Sequence, residues 1–195
     1  MPHVIIIAGP NGAGKSTTAP AILKSTLGVT EFVNADTIAL GLSAFNPARA
    51  AFQAGRIMLE RLQRLAEDRE DFAFETTLAS KTFGHWVQQL KANGYQFHLF
   101  FLWLPSADFA VERVAERVRM GGHHVPEDTV RRRYQAGLRN FFRQYQPIAD
   151  SWYFFDNSTT SAPALIASKD KETGQIVVNS VLWSQLTEEY HGCSV

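Results

Sequence analysis

At 195 residues the chain has the size that one hydrophobic core serves, and 45% hydrophobic with 19% charged residues is a globular balance that excludes disorder, collagen-like repeats and coiled coils. Nineteen Lys plus Arg against nineteen Asp plus Glu leave no overall field toward nucleic acid or an acidic membrane, so any attraction for anions must be local. The longest near-continuous apolar run, residues 97–104 broken by His98, falls well short of the ~20 residues of a membrane helix. The start MPHVIIIAGP lacks the basic region of a secretory signal, and the lone Cys193 has no internal disulfide partner and no base around it, so the expectation is an inert thiol in a cytoplasmic protein of one domain, residues 1–195.

In chain order, the first predicted element is a strand near residues 3–8. Val4, Ile5, Ile6 and Ile7 form an apolar burst without alternation, which suits a strand covered on both faces in a parallel sheet. Short apolar runs at 31–34, 72–74, 97–104 and 152–155 predict four more strands, each separated from the next by a helix-like stretch. Asn46-Pro47 opens a helix over 47–69, Asn93-Gly94 closes the following one, and Ser106 caps another that ends at Gly121-Gly122. Over 126–145, Val130, Tyr134, Leu138, Phe141, Phe142 and Tyr145 recur at helical spacing, with an arginine-rich opposite face; Phe141 and Phe142 suit either the core or a second subunit. Beyond Asp156 the pattern predicts an appended β-hairpin at about 163–180. The expected fold class is α/β in three layers, a mostly parallel central sheet with helices on both faces.

Chemistry concentrates first in GPNGAGKST. Gly9, Gly14, Lys15 and Ser16 satisfy G-x-x-x-x-G-K-[ST] between a strand and a helix, the context the P-loop requires. Glycines let successive N–H groups turn inward around phosphate oxygens, so Gly9, Pro10, Asn11, Gly12, Ala13, Gly14, Lys15, Ser16 and Thr17 are the expected nucleotide-binding residues. Lys15 can reach the β and γ phosphates of ATP, the Ser16 hydroxyl can ligate Mg²⁺, and Thr17 can reach the α-phosphate.

Ligands of open α/β sheets sit beyond the carboxyl ends of the strands. Two polar groups fall there. Asp36 follows the second strand, placed either as a base toward a hydroxyl or as a helix N-cap. Glu75, Thr76 and Thr77 follow the third, and Glu75 and Thr77 can bind a polyhydroxylated substrate, contact a Mg²⁺ water or start the next helix. Residues 111–145 hold eight arginines against four acids, a local excess of four positive charges. Arg131, Arg132 and Arg133 point in three directions on a helix, which is no stripe for DNA. Arginines around the Gly121-Gly122 hinge instead suit a closing helical lid, about 107–146, over a transferring phosphoryl group. His123 and His124 lack the companions of a metal site and read as loop histidines.

With GPNGAGKST, NAD at 34–36, FETT at 74–77, RVRMGGHHVPEDTVRRRY at 117–134 and DNS at 156–158 in order, the chain resembles the zeta-toxin-like P-loop kinase family over roughly residues 3–158. The resemblance implies an ATP-dependent kinase acting on the sugar of UDP-N-acetylglucosamine, with an antitoxin protein as a possible partner. It implies Lys15 and Ser16 as the ATP and Mg²⁺ residues, Asp36 as the base, Glu75 and Thr77 as contacts to the sugar nucleotide, and Arg117 as the first phosphate-binding arginine. Arg132 or Arg133 supplies the second. The alternatives from the residues alone are a nucleotide-dependent switch acting on a protein partner and a polynucleotide-end kinase.

Overall fold

The aliphatic run Val4–Ile7 becomes an interior strand: β1 (His3–Ala8) lies third in a seven-stranded sheet and these four side chains are fully buried. The computed structural model describes residues 1–122, 124–159 and 162–191; His123 and Cys193 lie outside the described residues. The sheet order is β2 (Glu31–Val33), β3 (Phe72–Thr76), β1, β4 (Gln96–Trp103), β5 (Ser151–Asp156), β6 (Ala164–Asp170), β7 (Gly174–Val177). The first five strands in that order pair parallel, and β6 and β7 extend the sheet as an antiparallel pair.

Alternation along β1 sorts the core into two layers. Ile5 and Ile7 face Ala19 and Leu23, contributed by α1 (Lys15–Pro20) and the π-helical turn that follows it. Val4, Ile6 and Ala8 face the larger layer, built by α3 (Pro47–Glu67), α4 (Thr82–Ala92), α5 (Ala107–Arg119), α6 (Glu127–Asn140) and α7 (Ser180–His191). The remaining helix, α2 (Ala35–Leu42), packs on α3 through Ala39, Ala50 and Ala54. Pro20 ends α1 because it has no N–H to return to the preceding turn, and the chain continues in the wider π-helical winding.

Phe141 and Phe142 are completely buried and pack edge-to-face, with Phe154 and Trp152 against Phe141, so they belong to the core. The sequence reading gave no element after the hairpin. α7 occupies that stretch, burying Trp183, Leu186 and Tyr190 and stacking Trp183 on Trp152 at 5.2 Å between ring centroids.

Candidate active site

The phosphate loop leaves β1 at Gly9 and enters α1 at Gly14, which takes a left-handed conformation with φ +76° as the helix N-cap. A Cβ on Gly14 would stand 2.8 Å from Nδ2 of Asn157, and that same amide donates to the Ala13 carbonyl at 2.7 Å. The loop is therefore clamped by the segment after β5. Lys15 opens α1 and is buried; its Nζ donates to the Pro10 carbonyl at 3.0 Å and lies 3.6 Å from Oε1 of Glu75. Burial pulls the Lys15 ammonium below its ordinary range, while Glu75 and Asp36 oppose that shift. Ser16 donates to Oε2 of Glu75 at 2.7 Å. Thr17 is exposed.

Asn34, immediately after β2, is the N-cap of α2: its Oδ1 accepts from the N–H groups of Asp36 and Thr37. The cap is thus not Asp36. That residue sits in the first helical turn, with its side chain left for other work. Nδ2 of Asn34 donates to Glu75 at 2.7 Å and to Ser16 at 3.3 Å. The carboxyl ends of β1, β2 and β3 thereby bring Lys15, Ser16, Asp36 and Glu75 together, because parallel pairing sets Ala8 beside Thr76 and Val33 beside Phe74.

From the other side come the arginines. Arg133 of α6 points Nη1 at Oδ1 of Asn11, 3.5 Å away, and burial lowers its pKa, with Arg132 adding to that shift and Asp36 opposing it. Arg117, in the last turn of α5, lines the same space. Arg132 is exposed and lines neither of the clefts described below. Arg131 is held outward by Asp108 and Glu127, both at 2.7 Å. Arg113 lies over the Phe109 ring and donates to the Ser158 carbonyl at 2.8 Å, which fixes the loop after β5.

Two clefts share these residues. The inner one, about 110 Å³, is polar and bounded by Asn11, Lys15, Glu75, Thr77, Arg117 and Arg133. The outer one, about 580 Å³, runs between Leu40, Phe45 and Pro47 on one wall and Arg117, Gly121-Gly122 and His124 on the other. Asn34, Ala35, Asp36 and Arg117 line both. A donor phosphate group in the inner cleft and an acceptor in the outer one would meet at Asp36. Sequence reasoning passed over Asn34 and Asn157 as functional positions. An asparagine directly before a helical stretch was the available signal for Asn34, and the DNS motif at 156–158 was the signal for Asn157, whose contact with Ala13 is set by packing across the fold.

The sequence model of one family, described as an AAA domain, matches residues 4–143. An uncharacterized protein of Haemophilus influenzae is 29% identical over 130 residues, 67% of this chain and 91% of that protein. Among solved structures, AvrRxo1-ORF1:-ORF2 with ATP is similar with TM-score 0.74 at 18% identity, over 96% of this chain and 64% of that one. This chain thus spans less than two thirds of that structure's length. The PezAT chromosomal toxin-antitoxin system of Streptococcus pneumoniae gives TM-score 0.64 at 16% identity, over 100% and 80% of the two chains. A gluconokinase from Sinorhizobium meliloti gives 0.50 at 17%, over 81% and 83%. These likenesses are likenesses of fold. Among the described residues no helix is long and apolar enough to cross a membrane.

Proposed function

The chain belongs to the AAA domain family and has the fold of P-loop phosphotransferases, and from that premise we propose that it transfers the γ-phosphoryl of ATP to a hydroxyl of a small metabolite, with Asp36 as the base. The observation that carries this reading is the place of Asp36 at the junction of the two clefts. A carboxylate there can take the proton of an alcohol held in the outer cleft while Lys15, Arg117 and Arg133 face the transferring group. Guanidinium and ammonium groups act on charge that spreads over the equatorial oxygens, so their convergence on the inner cleft suits transfer rather than nucleotide storage.

The oxygen donors where the two clefts adjoin fit Mg²⁺. Ser16 and Glu75 are hard ligands of the type this ion takes beside phosphate, and they already share a hydrogen bond. When bound, the ion neutralises charge on the β and γ phosphates. In this reading Ser16 and Glu75 would hold it, while Asn11 and the loop N–H groups would orient the triphosphate.

The acceptor we favour is a nucleotide sugar such as UDP-N-acetylglucosamine. The outer cleft, about 580 Å³, lies within the ~300–1,000 Å³ of ordinary small-molecule pockets, room enough for a sugar-sized acceptor. The acceptor rests on the motif resemblance at 34–36 and 74–77; the fold likeness to the PezAT toxin-antitoxin system bears only on an antitoxin-like protein partner. Glu75 and Thr77 line the inner cleft, so they would contact only the part of the acceptor that reaches in to the transferring phosphoryl group. The test is incubation with labelled ATP and a panel of nucleotide sugars and simple sugars, followed for label on the sugar. Asp36→Asn is expected to lose transfer by at least ~10²-fold with ATP affinity nearly intact, whereas Lys15→Ala loses both. Full turnover by Asp36→Asn removes Asp36 from the base role.

A further inference from the structure

Any of Ser, Thr, Asp or Asn can cap a helix by accepting its first N–H groups, so capping alone does not call for an amide at position 34. The amide at this position is used at both ends. Oδ1 accepts from Asp36 N at 2.8 Å and Thr37 N at 3.2 Å, and Nδ2 donates to Glu75 Oε2 at 2.7 Å and Ser16 Oγ at 3.3 Å. Turning the amide over would set NH₂ against two N–H donors and carbonyl against carboxylate, so the four contacts fix its orientation jointly. The residue is 7% exposed, which leaves little room for water to replace any of them.

We propose that Asn34 is a positioning residue that couples the phosphate loop to the Asp36 turn. It joins the start of α2, the carboxyl end of β3 and the start of α1 in one side chain. A change at Ser16 and Glu75 on nucleotide binding is carried to the N–H groups of Asp36 and Thr37 through this amide. The base role of Asp36 rests on the function proposed above; the coupling does not. Asn34 lies one residue outside α2 and acts through Asp36, so its loss falls on the rate of transfer rather than on nucleotide affinity. A displacement of about 1 Å at a reacting group is enough to cost ~10²-fold.

Asn34→Ser keeps an acceptor for the cap and, being shorter, loses the donation to Glu75 and Ser16. It is expected to melt within a few degrees of the wild type, to bind MgADP within about threefold, and to lose roughly 10- to 100-fold in kcat with KM for ATP little changed. A second measurement needs no acceptor: amide hydrogen exchange at Asp36 and Thr37, with and without saturating MgADP. In the wild type the nucleotide changes protection at these two amides several-fold, and in Asn34→Ser it does not, although MgADP is bound. Exchange that ignores MgADP in the wild type, or responds equally in Asn34→Ser, overturns the proposal. If the exchange result holds while no alcohol accepts phosphate from the wild type, the coupling stands and the kinase reading falls.

Discussion

Lys15 carries a positive charge into a place that opposes it. Burial is the largest influence and lowers its pKa from 10.5, with Arg117 acting in the same direction; Glu75 and Asp36 pull it back only in part. The folded chain therefore holds this proton less tightly than the unfolded chain does. Between the folded pKa and 10.5 the unfolded state binds more protons, so on account of this group stability rises with pH over that interval, while the cation that phosphate needs is lost. The expected outcome is an alkaline decline in MgADP affinity that sets in below pH 10.5. Lys15→Arg, which keeps its charge throughout, lacks that decline whatever its absolute affinity, and wild-type stability relative to Lys15→Met rises across the same pH range. Calorimetric titrations and denaturation at matched pH values read both. A decline of equal position in Lys15→Arg would assign it to another group. Lys15 and Ser16 were legible because the P-loop pattern names them in sequence, whereas the second use of Asn34 appears only once β3 brings Glu75 beside it.

α6 reaches the site only because it approaches β3 closely. A Cβ on Gly137 would stand 2.4 Å from the Thr77 carbonyl, so the helix rests on the end of the strand at a distance that only glycine allows. Around that point Tyr134 donates to the Leu104 carbonyl at 2.8 Å and Asn140 to the Leu78 carbonyl at 2.6 Å, securing the helix to the loops after β4 and β3. Arg133 projects into the inner cleft from the turn before. Gly137→Val must lift the helix, at a cost of about 1–3 kcal/mol by overpacking. The variant is expected to unfold at lower denaturant and to lose phosphoryl transfer beyond what its folded fraction explains, because Arg133 moves with the helix. Unchanged kcat in the folded variant would detach Arg133 from the reaction. Periodicity made α6 legible in the sequence, through Val130, Tyr134 and Leu138. It made α7 equally legible in principle, since Trp183, Leu186 and Tyr190 fall at helical spacing, but the polar residues between them masked the stripe. The approach of Gly137 to Thr77 has no local signature, because it pairs residues sixty apart.

At the scale of the molecule, the sheet order places β1 between β3 and β4, so the chain leaves the first strand toward one edge and later returns to build toward the other. Such a reversal opens a crevice at the carboxyl ends of the strands. The phosphate loop spans this crevice and is tied to both sides: Glu75 contacts Lys15 and Ser16 from β3, and Asn157 holds Ala13 from the segment after β5. The parallel βαβ order was readable from the alternation of apolar runs and helical stretches. The closure of the loop by Asn157 was not, since it joins positions 144 residues apart. A ligand seated in a loop anchored this way binds the folded chain and has no counterpart in the unfolded one. At a hundred times its dissociation constant MgADP should then add about 2.7 kcal/mol, which for a chain of this size raises Tm by roughly 5–10 °C. Chelating the metal with EDTA should remove most of the gain, Lys15→Ala should remove it, and Asp36→Asn should keep it because that carboxylate serves the acceptor. Thermal unfolding followed by circular dichroism separates the three. A shift lost in Asp36→Asn would place residue 36 on the donor nucleotide instead, and would move the acceptor hydroxyl away from the junction of the two clefts.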